Sequence, residues 1–214
     1  MRLPVDFYRR ADVVGISRDL LGKVVCTRID DRLTEAVITE TEAYAGESDK
    51  ASHAWGGRRT RRTEPMYAVG GHAYVYLCYG IHHLFNVVTN VAGTPHAVLV
   101  RAGRPLTGID VMLARRGKAR RDKTLMGGPG TFSQALGIRT CMTGTALRGE
   151  QIWIEDRGVS MPAGSIRSGP RVGVDYAAED AALPYRFIAD AIDLPRLSEI
   201  RGQETDGRSG PAAV

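Results

Sequence analysis

Cysteine is scarce and odd in number: Cys26, Cys78 and Cys141 are the only three in 214 residues. Such wide, odd spacing excludes a disulfide-framed secreted fold and fits no metal-ligand pattern, which leaves reduced thiols as the simplest reading. The histidines (His53, His72, His82, His83 and His96) fall at none of the spacings that zinc sites use. No glycine cluster has the flanks of a P-loop or a dinucleotide-binding turn, and no nucleophile-elbow pentapeptide occurs, so NTPase, Rossmann and serine-hydrolase chemistries lack support. Long apolar runs are absent too. The opening Met1-Arg2-Leu3-Pro4-Val5-Asp6 has no signal-peptide core, and no stretch reaches membrane-spanning length. A cytoplasmic protein without membrane association is expected.

What is present is an ordinary globular composition, 43% hydrophobic and 25% charged, enough for one well-formed core. The expected boundaries are a single domain over residues 1–201 and a disordered tail over 202–214, where Gly, Ser, Arg, Pro and Ala dominate. The formal charge of +5 and pI of about 9.3 favour a polyanionic partner without demanding one. Asp12 followed by Val13, Ile16, Leu20 and Leu21, with Gly22 behind them, predicts a short capped helix. Strands are expected at Lys23 to Arg28 and Glu35 to Tyr44, with Asp30-Asp31 as the turn. A long ordered loop, or a pair of short helical turns, follows from Gly46 to Gly71. Beyond it comes a hairpin: Tyr74, Tyr76 and Cys78 on one face, Val75, Leu77 and Tyr79 on the other, a turn at Gly80, and a return strand Leu84 to Thr89. Ala97 to Arg101 reads as a third strand. A helix from Ile109 is expected to run into the basic stretch Arg115 to Lys123, a solvated surface with phosphate contact as its second reading. Gly127 to Gly130 reads as a loop and Thr131 to Leu136 as a short helix. Further strands are expected at Ile152 to Ile154, Arg171 to Val174 and Arg186 to Ile188.

The most informative stretch is Val37-Ile38-Thr39-Glu40-Thr41-Glu42-Ala43-Tyr44-Ala45-Gly46. Strand alternation sends Glu40, Glu42 and Tyr44 to one side, and a carboxylate beside an aromatic ring suits activation of a water against a flat substrate. A half-buried edge strand with solvated glutamates has the same pattern. Aromatics make up only 7% of the chain, yet Tyr44, Trp55, Tyr76 and Tyr79 are crowded into one third of it, together with His53. Arg58, Arg59, Arg61 and Arg62 stand among them. Rings that stack on a base, cations that neutralise a backbone and a wedge that replaces a displaced base are what a nucleic-acid enzyme requires. Tyrosines packed as sheet core would leave the same trace.

Taken together, Glu40-Thr41-Glu42-Ala43-Tyr44 with Ser52-His53, Ala73-Tyr74-Val75-Tyr76 leading to Tyr79-Gly80, and Asn86-Val87-Val88 resemble the alkyladenine (3-methyladenine) DNA glycosylases of bacteria. Ala97-Val98-Leu99-Val100-Arg101-Ala102, Gly128-Pro129-Gly130 with Gln134-Ala135-Leu136, and Arg171-Val172-Gly173-Val174-Asp175-Tyr176 extend the resemblance from about Arg10 to Ile188. It implies a single α+β domain on a curved, open-barrel-like antiparallel sheet, with peripheral helices and a protruding hairpin that enters DNA. It implies a monofunctional base-excision-repair enzyme acting on alkylated or deaminated purines in double-stranded DNA, as a monomer, with no metal and no cofactor. Glu42 would be the general base, with Arg101 holding the water. Tyr44, His53 and Tyr76 would enclose the base, Asn86 would stand against the amine of guanine, and Tyr79 would be the wedge. Arg58, Arg59, Arg61 and Arg62 would meet the DNA backbone. The principal rival is a non-catalytic nucleic-acid-binding module using the same aromatic hairpin; a second is a small-molecule hydrolase or transferase on a related open barrel.

Overall fold

The alternating run from Arg32 to Tyr44 forms the longest strand, β2, and the sheet is arranged along it. In the computed structural model, which describes residues 1–193, β1 (Val24–Ile29) pairs with the first half of β2, from Ile29 opposite Arg32 to Val24 opposite Val37. The joining residues Asp30 and Asp31 both have positive φ, 53° and 55°, the signature of the two-residue turns whose twist matches that of the strands. The remaining strands are β3 (Ala73–Cys78), β4 (His82–Thr89), β5 (His96–Thr107), β6 (Ile152–Glu155), β7 (Ile166–Gly169) and β8 (Arg186–Ala189). Their order is β3-β4-β5-β2-β1-β6, while β8 pairs with the second half of β2 at Glu40 to Glu42 and β7 pairs with β8. Each pairing is antiparallel, and the sheet stays open. The residues expected as a tail from 202 lie outside the described ones.

Among the described residues four helices accompany the sheet: α1 (Val5–Arg9), α2 (Val13–Asp19), α3 (Ile109–Arg116) and α4 (Pro129–Leu136). Asp12 caps α2 by accepting from the Gly15 amide at 2.8 Å, as the sequence predicts. Ile16 of α2 and Phe132 and Leu136 of α4 close over Ile38, Val75, Phe85, Val87, Val98 and Val100 in the main core. On the opposite face, the Gly46 to Gly71 segment folds into three short 3₁₀ turns over a smaller cluster that includes Ala54, Met66, Tyr67 and Tyr74. That second layer carries the candidate site.

Three expected elements differ. Arg171 to Val174 is no strand: Gly173 has a φ of +74°, the Arg171 side chain turns inward, and the neighbouring Ile166–Gly169 supplies the strand instead. The helix from Ile109 ends at Arg116, because Gly117 adopts the left-handed C-cap conformation; Lys118 to Lys123 are therefore outside it. Helix α4 begins two residues earlier than expected, with Pro129 at the first turn, where its missing N–H costs nothing and its fixed φ already suits the helix.

Gly103 on β5 lets α4 lie against the strand. A Cβ there would sit 2.6 Å from the Phe132 ring and 2.9 Å from the Val37 carbonyl oxygen. The ring could shift, but the backbone oxygen is fixed by the sheet. Gly103→Ala should therefore destabilise the fold by ~1–3 kcal/mol through overpacking. Urea or thermal unfolding reads this directly, and unchanged stability would show that α4 can lift off β5 freely.

Candidate active site

Two bulges between β2 and β5 aim the charged groups of the site. Ile38 faces Gly103 and Glu40 faces Ala102, so Thr39 is the extra residue on β2; Thr41 then faces Val100, so Arg101 is the extra residue on β5. Bulges re-aim side chains in this way. Arg101 reaches back across β2, its Nε 2.8 Å from Glu40 Oε1 and its Nη1 3.2 Å from Glu42 Oε1. Arg186 of β8 approaches Glu40 Oε1 from the other side, at 2.7 Å. Thr41, pointing the opposite way, donates to the Ser17 carbonyl of α2 at 2.7 Å. The expected alternation of Glu40, Glu42 and Tyr44 is what these contacts require.

Glu42 has no exposed surface. Its Oε2 accepts from the Tyr44 hydroxyl at 2.9 Å and its Oε1 from the Val172 amide at 2.8 Å. A carboxylate offers about four lone-pair sites, and these two hydrogen bonds with the Arg101 ion pair leave one, on Oε2. The Arg101 guanidinium is pulled down by burial, but Glu42 and Glu40 outweigh that and hold it above the ordinary arginine value. Tyr44 is raised well above the ordinary phenol range, by burial first and by Glu42 second, so it stays a proton donor to that carboxylate.

Tyr44 and Arg101 belong at once to the Glu42 cluster and to the wall of a cavity of about 260 Å³, which His53, Tyr76, Asn86 and Tyr79 complete. Glu42 lies behind this wall and meets the cavity through Tyr44, Arg101 and Val172. His53 and Tyr76 touch edge to face, with centroids 4.6 Å apart and planes at 77°. Asn86 is buried and donates through Nδ2 to the carbonyls of Tyr74 and Leu84, both at 3.1 Å. Its amide orientation is thereby set, leaving Oδ1 without a hydrogen-bond partner among the described residues. Tyr79 is 91% exposed. It sits at the hairpin tip with φ 51°, beside Gly80 at φ 74°, and the Ile81 amide closes the turn on the Cys78 carbonyl. The turn breaks the strand's alternation, so Tyr79 lines the cavity with Tyr74, Tyr76 and Cys78 instead of facing away from them.

The arginines of the long loop divide. Arg62 lies over the Tyr76 ring at 5.1 Å, with Nη2 3.4 Å from His53 Nε2. Arg59 is committed to Glu64 through two hydrogen bonds and to the Tyr67 ring. The side chains of Arg58 and Arg61 are exposed and make no hydrogen bond or ion pair among the described residues. Three contacts escaped the sequence reading. Tyr176, at the cavity rim, is held by a hydrogen bond from its hydroxyl to the Ala51 carbonyl. Val172 supplies the amide on Glu42, and Glu40 supplies the second carboxylate on Arg101; nothing in a one-dimensional pattern announces these partnerships.

Burial, with Arg62 and Arg58 adding to it, pulls the His53 imidazole down to about 4. Guanidinium only donates, so Nε2 facing Arg62 is the acceptor, and Nδ1 carries the proton toward the Tyr74 hydroxyl, 2.9 Å away. At neutral pH His53 is thus an uncharged ring and no proton source. As pH falls from about 6.5 toward 4, the unfolded chain takes up a proton there before the folded one does, so stability held above that window is lost within it. Stability measured against pH should fall more steeply for the native chain than for His53→Gln between those limits. An NMR titration placing the imidazole near 6.5 would contradict this.

A family model described as methylpurine-DNA glycosylase (MPG) matches residues 6–192. A relative from Chlamydia felis (strain Fe/C-56), named "Putative 3-methyladenine DNA glycosylase", is 44% identical over 187 residues, covering 87% of this chain and 95% of the relative. One from Bacillus cereus (strain G9842), bearing the same name, is 42% identical over 196 residues, with 87% and 95% covered. The chain belongs to the methylpurine-DNA glycosylase family.

Proposed function

We propose that this chain, as a member of that family, is a DNA glycosylase that removes alkylated purines, and that it also takes deaminated and etheno-bridged purines, by hydrolysis of the N-glycosidic bond after the nucleotide has swung out of the duplex. The observation that carries the reading is the junction of two parts. An aromatic cavity for a single flat ring system shares Tyr44 and Arg101 with a buried carboxylate whose one remaining lone-pair site is on Oε2. A cavity of about 260 Å³ is below the ~300–1,000 Å³ of pockets for drug-sized ligands, which suits one heterocycle.

In this mechanism the base stacks in the cavity walled by Tyr44, His53 and Tyr76. Because His53 and Tyr76 already meet edge to face, the base lies beside that pair. Glu42 activates a water through Oε2, and Arg101 orients it. As the bond breaks, positive charge develops on the sugar, and the same carboxylate stabilises it. A cationic alkylated purine leaves without further help. A neutral deaminated purine needs a proton, which neutral His53 does not provide, so the second class should be excised more slowly. Asn86, with its amide locked, stands against the exocyclic amine of guanine. Tyr79 fills the space the nucleotide vacates, and Arg58, Arg61 and Arg62 meet the phosphates of double-stranded DNA. One copy of the chain carries every residue used, so a monomer suffices.

Unstacking costs a few kcal/mol, least at damaged or mispaired sites, and base–aromatic stacking returns about 1–3 kcal/mol per ring. Selectivity then comes partly from the lesion's own weakness in the helix. A binding module without catalysis would have no use for the Glu40–Arg101–Glu42 row, since two carboxylates beside a phosphate backbone weaken its grip.

Duplex oligonucleotides carrying 3-methyladenine, hypoxanthine or 1,N6-ethenoadenine should yield alkali-labile abasic sites with this chain. Glu42→Gln should slow that by ~10²–10⁴-fold with lesion binding retained; no cleavage of any lesion by the native chain would sink the assignment. A second test uses the strain at Tyr79. A left-handed conformation costs a residue with a Cβ roughly 1–2 kcal/mol, so Tyr79→Gly should be as stable as the native chain or more so. Its flipped population and excision should nonetheless drop, and full activity in this variant would remove the wedge from the mechanism.

A further inference from the structure

Behind the site lies an ion pair that none of the proposed steps uses. Arg171 and Asp49 are 0% and 2% exposed at their side chains and are joined through both terminal guanidinium nitrogens, Nη2 at 2.8 Å from Oδ1. Buried pairs of this kind are weak evidence of stabilisation, because desolvation offsets much of the attraction. What the pair touches is more informative. Arg171 also donates to the carbonyls of Ala43 and Asp180, at 2.9 and 3.2 Å. Its guanidinium lies against the rings of Tyr44 and Tyr185, at 4.9 and 5.3 Å. Its Nε is buried without a partner among the described residues, so the group's placement is not simply the best hydrogen-bonding arrangement. Asp49 in turn accepts from the amides of Ala45 and Ala51, which holds the segment leading to His53.

The residue after Arg171 is Val172, whose amide donates to Glu42 Oε1 at 2.8 Å. Ala43, whose carbonyl Arg171 grips, lies between Glu42 and Tyr44. One side chain therefore ties the 171–174 turn to Ala43 and Tyr44, the two residues that follow the proposed general base. We infer that Arg171, locked by Asp49, is a positioning residue for hydrolysis: it sets the Val172 N–H on Glu42 and fixes the Tyr44 ring, so that the free lone pair of Oε2 is presented in one orientation. The inference rests on the reading of Glu42 as general base. It also accounts for a turn where the sequence pattern reads as a strand, since a ladder would have paired the Val172 amide with another strand.

The test replaces both charges together, Asp49→Asn with Arg171→Gln, so that neither is left buried alone. The variant's excision of a single lesion is measured under single-turnover conditions, alongside lesion-duplex affinity and melting temperature. A displaced catalytic group costs up to about 10²-fold, so excision should fall about 10–100-fold while affinity changes less than about threefold. In the Glu42→Gln background the same pair change should cost nothing more, because the group it positions is already gone. Arg171→Lys, which keeps the charge and loses the fork, should show a smaller loss of the same kind. Unchanged excision by the folded double variant, an affinity loss that accounts for the whole effect, or an undiminished cost in the Glu42→Gln background would overturn the inference. So would failure of both the double variant and Arg171→Lys to fold, which would make the pair a folding element. The native chain is the control that separates the two readings: if it excises no lesion, the function assignment fails first.

Discussion

A guanidinium shared between two carboxylates is the constraint on which the site depends. Arg101 reaches Glu40 and Glu42 together only because β5 is bulged at that residue, opposite a strand bulged at Thr39. An unpaired carboxylate as deeply buried as Glu42 would carry a desolvation penalty of several kcal/mol. Here the Arg101 guanidinium, the Tyr44 hydroxyl and the Val172 amide all meet its oxygens. These partners come from β5, from β2 and from a turn some 130 residues along the chain. The carboxylate is therefore held in place only in the completed fold, and the residues that supply its partners, Arg101, Tyr44 and Val172, all line the cavity.

In the proposed mechanism the cavity and the hairpin divide the work of recognition. Within the cavity, Tyr74 and Tyr76 are backed by packed residues and joined to His53, so its walls are set before any base arrives. The hairpin tip is the reverse case. Tyr79 is almost wholly exposed and Ile81 is 70% exposed, and Tyr79 adopts a backbone conformation that a bulky residue avoids. Exposed apolar surface combined with local strain is poor for stability and is typical of positions that meet a ligand. In the mechanism we propose, both features have a common purpose: rigid plates to hold a purine, and a tip whose ring is left free for the space the purine leaves.

Much of this was legible in the chain. Period-two alternation gave β2, β3 and β4, the side to which Glu40, Glu42 and Tyr44 point, and the common face of Tyr74, Tyr76 and Cys78, because burial on one face enforces that pattern. Asp12 capped α2 for reasons local to the helix, whereas the helix ended at Asp19 with Leu20 as its C-cap, short of Gly22. What could not be read was contact between distant segments. The inward turn at Arg171 resembled a strand because Val172 and Val174 alternate with an arginine and a glycine; only Asp49, 122 residues earlier, explains why the chain bends there. Likewise, four clustered arginines looked equivalent in sequence, yet Arg59 is occupied by Glu64 and Arg62 covers Tyr76. Bulges carry no reliable mark in a single sequence, so the aim of Arg101 had to come from the structure.

The central claim is that the buried carboxylate serves a base held in the aromatic cavity, and its most direct test is a crystal structure of the Glu42→Gln variant bound to a duplex with one hypoxanthine. The account predicts the purine out of the stack, against Tyr44 and beside the His53–Tyr76 pair, with Tyr79 in the vacated gap. It also predicts a water held by Arg101 and the position-42 side chain within about 3–3.5 Å of the anomeric carbon, the distance of a near-attack arrangement. A purine still stacked in the helix, or one seated in the cavity with its sugar turned away from position 42, would contradict it.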